Sequence, residues 1–232
     1  MRRLSLLAAI TVFACVGAVA QSGAPAKTPD GDHPKPFVIE RDLSAGGTVV
    51  LEMNVGDVTI KPSVSPNRIR LEIRADHQDA QDSLAASVKR FDVTGNRAAL
   101  ELRMPKDHEH CLSCYSGSSV TLYVPAQSLL KIKLGVGDLT VQGVRGDKDL
   151  HVGIGDLHIG FDGSDEYAHI ETSTHIGDID DPLHIGEASG FLGKSEDFSR
   201  QGHFHLRASV GIGDLNLFAE GKSLRAVSLS LS

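Results

Sequence analysis

The side chains with the greatest chemical capacity stand together in His108-Glu109-His110-Cys111-Leu112-Ser113-Cys114. Two thiols three positions apart can close into a disulfide, the state that an oxidising compartment outside the cytoplasm favours. Zinc offers a second reading, because it accepts imidazole nitrogen from His108 and His110 as well as both thiolates. A redox pair is the third, although such a pair normally opens a helix and nothing helical follows Cys114. Covalent haem is excluded, since Tyr115 stands where that pattern needs histidine. The expected state is a Cys111–Cys114 disulfide.

Histidine is abundant, at 11 of 232 residues. His151, His158, His169, His175, His184, His203 and His205 all oppose their apolar neighbours in parity, so all seven are expected at solvent. His203 and His205, two apart on one strand, share a face and could chelate a transition metal. The plainer reading is a solvated polar face that gains charge below about pH 6. Gly135–Asp138, Gly153–Asp156 and Gly211–Asp214 each read Gly-x-Gly-Asp. They are similar to calcium-binding nonapeptide repeats but lack the glycine doublet and the short period. Backbone hydrogen bonding is therefore the expected work of these aspartates, with a shared calcium ion as the alternative. Catalytic signatures are missing: Gly186-Glu187-Ala188-Ser189-Gly190 has the wrong spacing for a nucleophile elbow, and neither a phosphate loop nor a His-Glu-x-x-His helix occurs. A non-enzymatic protein is expected.

The elements that must position these groups are announced by one phrase. Val55-Gly56-Asp57-Val58-Thr59-Ile60 returns as Val136-Gly137-Asp138-Leu139-Thr140-Val141 and as Ile154-Gly155-Asp156-Leu157-His158-Ile159. It shortens to Ile176-Gly177-Asp178-Ile179-Asp180 and ends as Ile212-Gly213-Asp214-Leu215-Asn216-Leu217. The Asp-to-Asp steps are 81, 18, 22 and 36. Such a period marks stacked units, with 36 counted as two of them. Apolar residues alternate before each Gly-Asp, as in Ile132, Leu134 and Val136, and resume on the opposite parity after it. Each copy therefore reads as strand, corner, strand, with an extra residue absorbed at the bend. Glycine supplies the positive φ that such a corner needs, and aspartate bonds nearby backbone N–H groups. If the corners stack, Asp138, Asp156 and Asp178 lie about 4.8 Å apart in succession.

Further strands are expected around Ile69–Ile73, Leu100–Met104 and Val120–Val124, with a hairpin turn at Gly95-Asn96. Asp79–Lys89 is the one helix candidate. The start reads as a secretory leader: Arg2-Arg3, an apolar stretch Leu4–Val16, then Ala18-Val19-Ala20 before Gln21. A lipoprotein leader acylated at Cys15 is the competing reading, and Phe13 fits it poorly. No stretch is long enough for a transmembrane span. Residues 21–36 read as a flexible Pro/Gly/Ala linker. The 23 Lys and Arg, less Arg2 and Arg3, against 30 Asp and Glu give a mature net charge of −9. No basic run occurs, which argues against nucleic acid as a partner.

The repeated apolar-Gly-Asp-apolar-x-apolar phrase, behind a leader and a strand-rich segment, resembles the bacterial putative-adhesin family of unknown function. The resemblance covers residues 37–232 and implies an exported or envelope β-solenoid without catalytic residues. The expected fold is all-β, a β-solenoid or β-roll of stacked strand–corner–strand coils with at most one short helix. The corners are Gly56, Asp57, Gly137, Asp138, Gly155, Asp156, Gly177, Asp178, Gly213 and Asp214. The expected division is 1–20 signal peptide, 21–36 linker, 37–125 N-terminal β-rich segment with the first corner, and 126–232 solenoid repeats.

The expected function is a periplasmic or cell-surface adhesin or scaffold that binds another envelope macromolecule through a rigid face. The alternative is a metal-handling protein that uses surface histidines and the 108–114 loop, and a polysaccharide-acting enzyme comes third. No resident cofactor is expected; zinc and calcium are the ions weighed. The last expected strand, Ala226–Leu231, either protects an open sheet end or offers it to another subunit for self-association.

Overall fold

The computed structural model describes residues 34–103, 118–161, 166–181, 193–199 and 201–220. The leader, the 108–114 loop, His184 and Ala226–Leu231 lie outside the described residues. Among the described residues the chain is mostly β, in two sheets of eight strands with one short helix. Five long strands belong to one sheet: β2 (Gly47–Val55), β8 (Ser128–Val136), β10 (Lys148–Ile154), β12 (Tyr167–Ile176) and β15 (Phe204–Ile212). Each hands over through a Gly-Asp corner to a short strand of the other sheet: β3 (Val58–Pro62), β9 (Leu139–Val141), β11 (Leu157–Phe161), β13 (Ile179–Asp180) and β16 (Leu215–Ala219). All five units stack in parallel and in register. β6 (Arg97–Leu102) and β7 (Ser119–Val124) extend the two sheets in parallel beyond β2 and β3.

Antiparallel strands cover both edges of the long-strand sheet and one edge of the short-strand sheet. β14 (Ser195–Ser199) lies against β12. At the other end, β5 (Val88–Thr94) pairs with β6, β4 (Arg68–Arg74) with β7, and β1 (Phe37–Asp42) with β4. The expected hairpin forms at Gly95, where φ is +58°. Helix α1 spans Gln78–Ser87 and lays Ala80 and Leu84 on the core. Val88, expected in the helix, opens β5 instead.

The stacking order is not the chain order. In space the units run β2/β3, β8/β9, β10/β11, β15/β16, β12/β13. The last unit of the chain slides between its two predecessors, so Asp214, not Asp178, neighbours Asp156. The expectation that 36 residues span two steps is thereby corrected, since Asp178 and Asp214 are direct neighbours. The physical reason is local: β14 occupies the outer edge of β12, and its inner edge is left to pair with β15. The sheets also run past residue 125 without a break, because β2 pairs along its length with β8.

The core is the slab between the sheets. Val58, Leu139, Leu157, Leu215 and Ile179 form one buried row across the short-strand sheet, and Leu51, Ile132, Leu150, Ala208 and Thr172 form another across the long-strand sheet. Burial of each large aliphatic side chain contributes about 1.5–3 kcal/mol. Aliphatic residues suit these rows because similar shapes lie above one another at each step.

Candidate functional site

The corner is the most regular part of the molecule. Gly56, Gly137, Gly155, Gly213 and Gly177 have φ between +124° and +140°, a region that side chains with a Cβ rarely enter. A Cβ on Gly137, Gly155, Gly213 or Gly177 would also overlap the carbonyl oxygen of the glycine in the adjacent unit. Each aspartate then ties one unit to the next. The backbone N–H of Asp138 donates to Asp57 Oδ1 (3.0 Å), Asp156 to Asp138 (2.9 Å), Asp214 to Asp156 (2.8 Å) and Asp178 to Asp214 (2.8 Å). Asp178 ends the series, and the Lys194 ammonium reaches its Oδ1 at 2.6 Å. A cation stands where the next N–H would come.

The residue before each glycine departs from the sequence expectation. Unbroken alternation puts Val55, Val136, Ile154, Ile212 and Ile176 on the buried face. They are instead 41%, 43%, 49%, 48% and 58% exposed. The strands run through these residues, but Leu134, Val152 and Val210 are the last buried side chains before the corner, and a Cβ on Gly135, Gly153 or Gly211 would meet the carbonyl of the neighbouring unit. The parity change therefore falls before the Val or Ile, and that side chain swings outward. Register pairing stacks the five side chains into a continuous apolar stripe. The acidic column of Asp57, Asp138, Asp156, Asp214 and Asp178 runs two residues further on, alongside it.

The outer face of the long-strand sheet carries charge in rows. Lys131, Asp149, Arg207, Glu171 and Asp197 are successive register partners, so cations and anions alternate across four strands before a second anion. Arg207 lies 3.6 Å from Glu171. A shallow depression of about 410 Å³ follows this row and reaches His169 and His205. Among the described residues no three His, Cys, Asp or Glu side chains gather as a metal site. His203, expected beside His205, donates its backbone N–H to Glu166 O at 2.8 Å. The histidine that stands in register with His205 is His169. Of the six described histidines in this region, His151, His175, His203 and His205 are exposed, whereas His158 and His169 are half-buried.

One buried cation escaped the sequence reading. Lys148 occupies a core position in the row Leu130, Lys148, Leu206 and Ile170, and is 2% exposed. Its ammonium donates to the Tyr167 hydroxyl and lies 4.8 Å from the Tyr167 ring centre. Burial first, then nearby Glu166, pushes the Tyr167 phenol well above its ordinary range. Phe161 and Phe204 close around that ring edge-on. The signal was present in the sequence, since Lys148 shares parity with Leu150 and Val152.

No family model and no curated protein matches the chain. Solved structures do. A putative cell adhesion protein from Clostridium sporogenes is similar over 80% of this chain and 100% of its own, with a TM-score of 0.52 and 12% identity. A putative adhesin from Parabacteroides merdae covers 79% of this chain and 81% of its own at 12% identity, with a TM-score of 0.33. One from Bacteroides fragilis covers 79% and 97% at the same identity, with a TM-score of 0.27. At 12% identity the likeness to the Clostridium protein is one of fold.

Proposed function

We propose that the protein is a non-enzymatic, exported envelope protein whose coils form a β-solenoid and whose corner edge holds another macromolecule. The observation that carries this reading is the stripe of Val55, Val136, Ile154, Ile212 and Ile176, each at least 41% exposed. Isolated exposed aliphatics are ordinary on a protein surface. Five in contiguous register form a patch of the kind that marks an interaction site. The stripe is also rigid, because each residue is anchored by a hydrogen-bonded corner directly after it, so little ordering entropy is lost on docking. The neighbouring carboxylates favour a partner with basic groups beside its apolar contact. The fold-level likeness to a putative cell adhesion protein agrees with this reading. The leader-like start supports an exported location, and among the described residues no helix is long and apolar enough to cross a membrane.

The test is site-specific photo-crosslinking from position 154 in intact cells. A discrete adduct is expected, and it should disappear when the stripe is interrupted on either side, as in the Val136→Asp and Ile212→Asp variants. An adduct unchanged in both variants, or none at any stripe position, would overturn the proposal.

A further inference from the structure

The two histidines that the fold brings together differ from the pair that the sequence pointed to. β12 carries one extra residue against β15 between Tyr167 and His169: Tyr167 pairs with Phe204, and His169 already pairs with His205. Without that irregularity at Ala168, His205 would face Ala168. With it, His169 and His205 lie directly opposite each other on adjacent parallel strands, on the outer face of the sheet. Irregularities of this kind re-aim side chains at functional positions.

The groups flanking the pair are arranged symmetrically. The strand order is β14, β12, β15, β10. On the β14 side, His169 Nδ1 lies 3.2 Å from Ser199 Oγ and 3.5 Å from Asp197 Oδ1. On the β10 side, His205 Nδ1 lies 3.7 Å from Asp147 Oδ1, an oxygen already held by the His205 backbone N–H at 2.8 Å. Each ring turns its Nδ1 edge outward, towards its own carboxylate. In an imidazole Nε2 sits at the ring tip on the Cδ2 side, so neither Nε2 is turned towards the carboxylate beside Nδ1. Neither has a partner among the described residues. A carboxylate near Nδ1 favours the tautomer protonated there, which leaves Nε2 as a lone-pair donor, the usual arrangement behind metal-ligating histidines. The depression beside the pair leaves room for water at the remaining coordination positions.

We propose that His169 and His205 form a two-imidazole site for a divalent transition-metal ion of the kind imidazole prefers, zinc or copper, with water completing its coordination. Asp147 and Asp197 act as positioning residues that orient the rings. The site contains no residue of the apolar stripe or of the 108–114 segment.

Isothermal titration of the mature protein with zinc alone, and separately with copper alone, tests it. His169→Asn and His205→Asn are each expected to weaken one binding event at least tenfold, and Asp197→Asn to weaken the same event about tenfold. His203→Asn, and separately the double variant Cys111→Ser with Cys114→Ser, should leave that event unchanged. Thermal melts of the metal-free variants keep folding apart from binding. An event lost in His203→Asn or in the cysteine variant, but retained in His169→Asn and His205→Asn, would assign the metal elsewhere and overturn the proposal. The absence of any event in the wild type at millimolar ion would do the same. Neither outcome bears on the stripe, which contains no ligand of this site.

Discussion

The two turns of each unit are built on opposite plans. At the Gly-Asp corner, five copies of one phrase are joined by four equivalent hydrogen bonds from unit to unit, with φ values that span only 16°. At the far side of the slab the contacts are unique. Gly143 N–H donates to Glu220 Oε1 at 2.6 Å, Arg145 pairs with Glu166, and Lys148 meets Tyr167. The corner joins two strands of one unit, so every copy has the same task. The far side carries the chain from one unit to another, and these passages differ in length and destination. Repetition in sequence follows repetition of the physical task.

The comparison can be broken first at its most constrained point. Gly155→Ala forces a side chain into φ +130° and against Gly137 O, and is expected to cost about 3 kcal/mol or more in urea unfolding. A cost below about 1 kcal/mol would mean that the corners relax independently. Lys148→Ala removes a buried cation and its packing at the far side, and a loss of about 2–4 kcal/mol is expected by the same measurement. This effect should be confined to one unit, so the slope of the unfolding transition should stay unchanged.

Asp156→Ala deletes one rung of the carboxylate ladder while leaving its own N–H bonded to Asp138, and should cost about 1 kcal/mol. Asp156→Asn keeps an acceptor oxygen and should cost less than Asp156→Ala. Equal losses would show that charge, not hydrogen bonding, links the units.

A smaller effect is expected at the covering strand β14. Glu196 is 5% exposed, and burial first, then nearby Asp181, raises its carboxyl above the ordinary glutamate value. A raised acid binds its proton more tightly in the folded state. The group therefore favours folding below the ordinary glutamate value and opposes it as pH rises towards the raised value. Glu196→Gln should melt higher than the wild type at pH 7 and match it below about pH 4, where the glutamate is protonated in both states. A wild-type advantage at pH 7 would reverse the assignment.

Alternation and the Gly-Asp phrase made the strands and corners legible, because period two and a positive-φ glycine are local requirements. Val58–Ile60, Leu139–Val141, Leu157–Ile159 and Leu215–Leu217 fall where the pattern puts them, with their apolar side chains at most 2% exposed. The same pattern misplaced Val136 and its four counterparts, because alternation along one strand cannot tell on which side of that residue the parity changes. The folded chain places the change before it in all five units, including those with Asn54 and His175 where the others have glycine. His169 was missed as the partner of His205 for a related reason: the extra residue at Ala168 exists only relative to β15.

Local chemistry along the chain thus specified that each unit bends, where its aspartate lies, and which faces are apolar. Which unit lies beside which came from pairing across space. The five phrases are near-equivalent as neighbours, and β14 broke the tie by covering the outer edge of β12 and leaving its inner edge to β15. The apolar stripe and the facing histidines exist only once that order is set, because each is assembled from residues that the chain itself keeps at least 18 positions apart.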